Sequence, residues 1–216
     1  MQRIHFMNTS YRGSLKIQID VLAVARSPQI ISEISRRANL SHITTLKVIE
    51  LSASSGLIKL LEGEDKIRAQ EAAVRLQKGK IFQTTERGNL VVEKFAELSK
   101  FFEDRPFSLL RHTHSVDPIL AVLQLCCERR KISELQNTEL RSFQTAKLIE
   151  WLDRCGVVEK FEDVAQNDDP NNSPFFYKNT HKGMQALEKV AEFHKLLLLA
   201  PLSEADSALK KVGIRS

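Results

Sequence analysis

Two arginines and the short polar run that follows them are the residues of this chain best suited to chemistry. Arg36 and Arg37 precede Ser41-His42-Ile43-Thr44, and Lys47 stands about one helical turn further on. Guanidinium and ammonium groups pair with phosphate oxygens, whereas hydroxyl and imidazole groups can exchange hydrogen bonds with base edges. One hundred residues later Arg141, Ser142, Gln144 and Lys147 offer a similar mixture, with Phe143 and Trp151 interleaved. Between them Lys78 and Lys80, in a stretch with Lys66, Arg68 and Arg75, could follow a phosphate backbone, although Glu62, Glu64, Asp65 and Glu71 offset them. The expected chemistry is recognition of a polyanion, with cations holding phosphate and the smaller polar groups reading bases.

Other chemistries lack their residues. The chain has no glycine-rich phosphate loop, no G-x-S-x-G, no H-E-x-x-H and no close carboxylate pair beside a nucleophile, so no catalysis and no cofactor are expected. His112, His114, Cys126, Cys127 and Cys155 carry imidazole and sulfur that suit zinc or copper, but no CxxC or HxxxH spacing joins them, so no metal site is expected. Three cysteines, two of them adjacent, make a poor disulfide framework and suit a reducing cytoplasm. The opening MQRIHFMNTSYRGS predicts no secretory signal, and no apolar run reaches the roughly eighteen residues of a membrane span.

With 216 residues, 42% of them apolar and 27% charged, the chain can bury two modest cores. Its net charge of +5 is unevenly held: residues 1–108 carry 17 Lys and Arg against 12 Asp and Glu, and residues 109–216 carry 15 of each. Polyanion binding is therefore expected mainly from the first half. The segment EDVAQNDDPNNS (Glu162 to Ser173) is acidic and would repel phosphate.

The elements that must position these groups come in two copies. TTLKVIELSASSGLI (Thr44 to Ile58) returns as QTAKLIEWLDRCGVV (Gln144 to Val158), keeping Thr45, Lys47, Ile49, Glu50 and Gly56 as Thr145, Lys147, Ile149, Glu150 and Gly156. VLAV (Val21 to Val24) matches ILAV (Ile119 to Val122), and Ile31-Ser32-Glu33-Ile34 matches Ile132-Ser133-Glu134-Leu135. TERGNLVVEKFAELSK (Thr85 to Lys100) matches THKGMQALEKVAEFHK (Thr180 to Lys195). The order is preserved, so the chain reads as a tandem duplication of one unit of about ninety residues.

Within a copy, Leu15, Ile19, Leu22 and Val24 or Ala25 predict a helix from Ser14 to Arg26, which Pro28 ends. Ile30, Ile31, Ile34 and Ala38 predict a second helix, and Ser41 caps a third that stops at Gly56 with Thr45, Val48, Ile49 and Ser52 inward. Thr145, Leu148, Ile149 and Leu152 are the matching inward stripe, while Ile43, Leu46 and Leu51 share the less buried side. LIKLL and KIFQTT read as a hairpin, as do VVEKF and FFYKNT. The long tip of the first hairpin has Ile67, Glu71, Val74 and Lys78 at helical spacing and can carry a short helix. Thr85 and Thr180 then cap closing helices, striped by Val91, Phe95, Leu98 and Phe102 in one copy and by Leu187, Val190 or Ala191, His194 and Leu197 in the other. The predicted fold is mainly α with small β-hairpins (α+β): two tandem winged helix-turn-helix domains, residues 1–105 and 106–216, each closed by a long C-terminal helix.

Each copy resembles the small archaeal winged helix-turn-helix regulators and chromatin-type proteins. ANLS (Ala38 to Ser41), SGLI (Ser55 to Ile58) and TERG (Thr85 to Gly88) carry the resemblance in the first copy. CGVV (Cys155 to Val158) and THKG (Thr180 to Gly183) carry it in the second, which has no ANLS. The resemblance implies a nucleoid-associated protein of the cytoplasm that binds double-stranded DNA and regulates transcription or organises chromatin. It also implies a homodimer through the long last helices, a pairing that tandem copies could satisfy within one chain. The competing expectation is an interaction scaffold whose winged helices dock transcription or chromosome-maintenance proteins.

Overall fold

The computed structural model describes residues 13–73, 76, 79–104, 107–108, 115–135, 142–162 and 175–198. The chain is mixed α+β, mostly helical, with small antiparallel sheets. The described residues fall into two compact units, one of those within 13–93 together with 196–198, the other of those within 94–108 and 115–195.

The first unit runs α1 (Ser14–Val24), β1 (Gln29–Ile30), α2 (Ile31–Ala38), α3 (His42–Ser54), β2 (Ile58–Leu60), α4 (Gly63–Ala72), β3 (Ile81–Thr84) and the first half of α5 (Glu86–Ser99). The second holds the rest of α5, a small hairpin β4 (Glu103–Asp104) and β5 (Phe107–Ser108), then α6 (Asp117–Leu125), β6 (Arg130–Lys131) and α7 (Ile132–Leu135). It continues through α8 (Ser142–Arg154), β7 (Val158–Glu162) and β8 (Phe175–Asn179) into α9 (His181–Leu198).

The α3 and α8 stripes bury much as their periodicity predicts: Thr45, Ile49 and Ser52 in one, with Val48 half-buried, and Thr145, Leu148, Ile149 and Leu152 in the other. Both helices end the same way. Gly56 and Gly156 each adopt φ 65°, a left-handed conformation that glycine reaches without a Cβ clash. Leu57 N then donates to Ser52 O at 2.8 Å, and Val157 N to Leu152 O at 2.9 Å.

The expected two-stranded hairpins are three-stranded sheets of order β1-β3-β2 and β6-β8-β7. Gln29 pairs with Phe82 and Ile30 with Ile81; Arg130 pairs with Tyr177 and Lys131 with Phe176. The added strands have two residues each, too few for any period to show. They form where the chain between two helices satisfies its backbone groups against a neighbouring strand.

The closing helices are anchored by one repeated device. Thr85 Oγ1 donates to Gly56 O at 2.8 Å and accepts from Gly88 N at 3.1 Å. Thr180 Oγ1 does the same with Gly156 O at 2.7 Å and Gly183 N at 3.0 Å. One hydroxyl thus caps the helix and ties it to the preceding turn. Thr85→Ala and Thr180→Ala are each expected to cost about 1–2 kcal/mol in urea unfolding, at the upper end of cap deletions, because two bonds are lost. An effect near zero would show that water replaces both.

The same strands correct the repeat alignment. Thr84 N donates to Ala25 O at 2.8 Å and Thr84 Oγ1 to Leu22 O at 2.6 Å. Asn179 N donates to Cys126 O at 2.7 Å and Asn179 Nδ2 to Leu123 O at 2.7 Å. Leu22 therefore answers to Leu123, not to Leu120 as the match of VLAV with ILAV requires. A slip of three residues is nearly one helical turn, so the apolar face survives it and sequence matching does not see it.

Two helical faces also differ from expectation. In α4 it is Ala69 that packs, with Leu61, Leu76 and Ile81 and with half-buried Ile30 and Ala73, while Ile67 stays 55% exposed. Val74 and Lys78 of the expected stripe lie outside the described residues. In α9 the buried residues are Ala186, Val190 and Phe193, whereas Leu187, Ala191, His194 and Leu197 are half-buried. Gly183 presses against the Val157 carbonyl and so sets the rotation of the helix. The α5 stripe of Val91, Phe95, Leu98 and Phe102 is buried as expected. In the second unit Phe95 packs on Phe193 with ring centroids 5.9 Å apart, and Lys94 lies 4.0 Å from Glu192.

Candidate nucleic-acid interface

In the first unit α2 and α3 are joined by a turn with its own lock. Asn39 takes φ 53°, and Leu40 N donates to Ser35 O at 2.9 Å. Ser41 Oγ accepts from Thr44 N at 3.1 Å and lies 2.8 Å from Thr44 Oγ1. The two hydroxyls expected to read bases are therefore engaged with each other in capping α3.

Arg36, Arg37, Ser41, His42 and Lys47 are exposed, and Thr44 is half-buried. Arg36 grips Glu33 through two bonds, Nη2 to Oε1 at 2.6 Å and Nε to Oε2 at 3.2 Å. This hydrogen-bonded pair, and the Glu33 charge, raise the Arg36 pKa above its ordinary value. A phosphate at Arg36 would have to share the guanidinium with Glu33. Arg37, His42 and Lys47 are the more available groups.

The exposed ridge of α3 is not wholly polar. Ile43 is 68% and Leu51 58% exposed, and they flank Lys47 at four-residue spacing. Lys147 holds the matching place on α8 and is exposed. Arg141, and the side chains of Ser142, Phe143 and Gln144, lie outside the described residues, as does Lys78. Lys80 is exposed beside Gly79 at the start of β3.

Basic residues also finish the two central helices from behind. Arg87 Nη1 donates to Ser55 O at 3.2 Å, and Lys182 Nζ to Cys155 O at 2.6 Å. Both cations sit at the carbonyl-rich end of α3 or α8, where the helix dipole favours positive charge. In the first unit Arg87 also donates to Leu196 O, at 2.5 Å from Nη2 and 3.2 Å from Nε.

Among the described residues no group of three or more His, Cys, Asp or Glu could hold a metal ion, and His112 and His114 fall outside them. Cys126 and Cys155 are buried and Cys127 is exposed. Burial, then the adjacent Cys127, pushes the Cys126 thiol up to about 12. The folded state holds this proton more tightly than the unfolded chain, so the stabilisation is whole below the unfolded pKa. It should be lost as pH rises from about 9 to about 12. In a thiol-labelling time course near pH 8, Cys127 is expected to react first and Cys126 only on unfolding. Equal rates would overturn this.

Sequence reasoning missed a second group of cations and rings, on the sheet of the second unit. Arg129 lies over the Phe161 ring at 5.1 Å, Lys131 over Phe176 at 5.4 Å and Lys160 over Phe175 at 3.4 Å. The signal was present in the repeat: Ile30, Leu61 and Ile81 of the first copy stand where the second has Lys131, Phe161 and Phe176.

No helix among the described residues is long and apolar enough to cross a membrane. No protein-family model matches the chain, and comparisons with curated proteins and with solved structures also find no match.

Proposed function

We propose that the chain is a DNA-binding transcriptional regulator or chromatin-associated protein, built of two tandem winged helix-turn-helix domains and nucleoid-associated in the cytoplasm. The first domain makes the main contact with double-stranded DNA. The observation that carries this reading is the α2–turn–α3 segment, in which one hydrogen-bonded turn holds Arg37, His42 and Lys47 exposed around the start of α3. A helix entering a major groove needs just such a first turn, with cations beside it for phosphate. The strands β2 and β3 and the closing helix that follow α3 suit a wing and a scaffold.

The apolar ridge supports the second reading, a scaffold for transcription or chromosome-maintenance proteins. Ile43 and Leu51 could meet thymine methyls, but an exposed apolar pair around one lysine also suits a protein surface. An electrophoretic shift assay with random duplex at several salt concentrations separates the two. Salt-sensitive retention of duplex supports the DNA reading. Absence of a shift even near 50 mM salt would transfer the ridge to protein contact.

A further inference from the structure

We infer that the outer face of the β6-β8-β7 sheet binds single-stranded nucleic acid, stacking bases on Phe161 and Phe176. Register puts these rings on one face: Phe161 is the partner of Phe176 across β7 and β8, and Lys131 is the partner of Phe176 across β6 and β8. Directly opposed residues of antiparallel strands point to the same side, so Lys131, Phe176 and Phe161 form a row across three strands. Glu159 and Lys178 form the next pair on that side, and Arg129 reaches over Phe161.

The first unit shows what this face does when it is structural. Its matching positions, Ile30, Ile81 and Leu61, are apolar and packed with Ala69 of α4 and with Leu76. In the second unit the face instead carries two half-buried phenylalanines with Arg129, Lys131 and exposed Lys178 around them. Aliphatic residues would cover a core equally well, whereas rings beneath Arg129 and Lys131 make a surface that is both aromatic and cationic. Glu159 opposes Lys178 across β7 and β8, so the strands set Arg129, Lys131 and Lys178 against one carboxylate on this face, while Glu128 holds Arg130 at 2.7 Å.

Aromatic faces flanked by cations are what a single strand requires, since every base offers a π face and every linkage a phosphate. Duplex DNA hides its base faces and cannot use the rings. An acidic peptide could use the cations but would gain little from two flat rings. The occupant is therefore a single strand, and the site is independent of the α3 surface proposed for duplex.

The test is fluorescence anisotropy of labelled oligothymidylate with the full chain. The double variant Phe161→Leu/Phe176→Leu keeps apolar bulk and removes the rings, and Phe161→Tyr/Phe176→Tyr keeps the stacking face. The leucine pair is expected to weaken single-strand binding at least about tenfold, with the tyrosine pair within about twofold of the parent. Lys178→Glu should lower the salt slope, and alanine at Arg36, Arg37 and Lys47 should leave single-strand binding intact. Equal binding by the leucine and tyrosine pairs, or failure of the parent to bind oligothymidylate, would overturn the inference. Preference for a labelled glutamate-rich peptide over the oligonucleotide would overturn it too.

Discussion

Replacing Arg36, Arg37 and Lys47 together by alanine is expected to flatten the slope of log affinity for duplex DNA against log salt by roughly two to three units. Each cation that meets a phosphate displaces condensed counterions, and each contact contributes about −0.9 to the slope. Between 50 and 200 mM salt the advantage of the parent over the variant should therefore shrink by roughly twenty- to sixtyfold. Arg36 is held by Glu33 through two bonds, so its share is expected to be the smallest of the three. His42→Ala should behave differently, altering preference among sequences with the slope nearly unchanged, since base-edge contacts release few ions. Lys147→Ala, in the neutral half of the chain, should matter less than Lys47→Ala. An unchanged slope in the triple variant, with binding lost only on changing Ile43 and Leu51, would assign the ridge to protein contact.

Gly88→Ala and Gly183→Ala are expected to destabilise their units by roughly 2–4 kcal/mol each, although alanine is the better helix former by about 1 kcal/mol. A Cβ at Gly88 would collide with the Leu57 carbonyl oxygen and come within 2.6 Å of Thr84 Cγ2. One at Gly183 would collide with the Val157 carbonyl oxygen and come within 3.2 Å of Asn179 Cβ. These carbonyls cannot yield cheaply, because Leu57 O accepts from Thr85 N at 2.9 Å and Val157 O from Thr180 N at 3.1 Å. Hydrogen exchange locates the damage: Gly88→Ala should lower protection chiefly in α1, α3 and β3, and Gly183→Ala chiefly in α6, α8 and β8. Neutral or stabilising outcomes at both positions would mean that the helices can back away from the strands.

Sequence alone determined the features whose signals are local and repeated. The inward stripes of α3, α5 and α8 follow from 3.6-residue periodicity, and the Ser41, Thr85 and Thr180 caps from the hydroxyl's reach to a backbone N–H. Gly56 and Gly156 follow from the need for a left-handed turn after each central helix. The duplication supplied a second reading of each, which is why Thr45 and Thr145 could be placed inside despite their polarity. Tertiary structure decided what no local pattern encodes. The two-residue strands β1 and β6 exist only because β3 and β8 offer them partners. Contact of Gly183 with Val157 set the rotation of α9 and moved its buried stripe one residue towards the N-terminus. Bonds from Thr84 and Asn179 fixed the true repeat offset, since a three-residue slip leaves an apolar helical face almost unchanged. The row of Lys131, Phe176 and Phe161 gathers residues from three separate strands, and only strand register could bring them to one face.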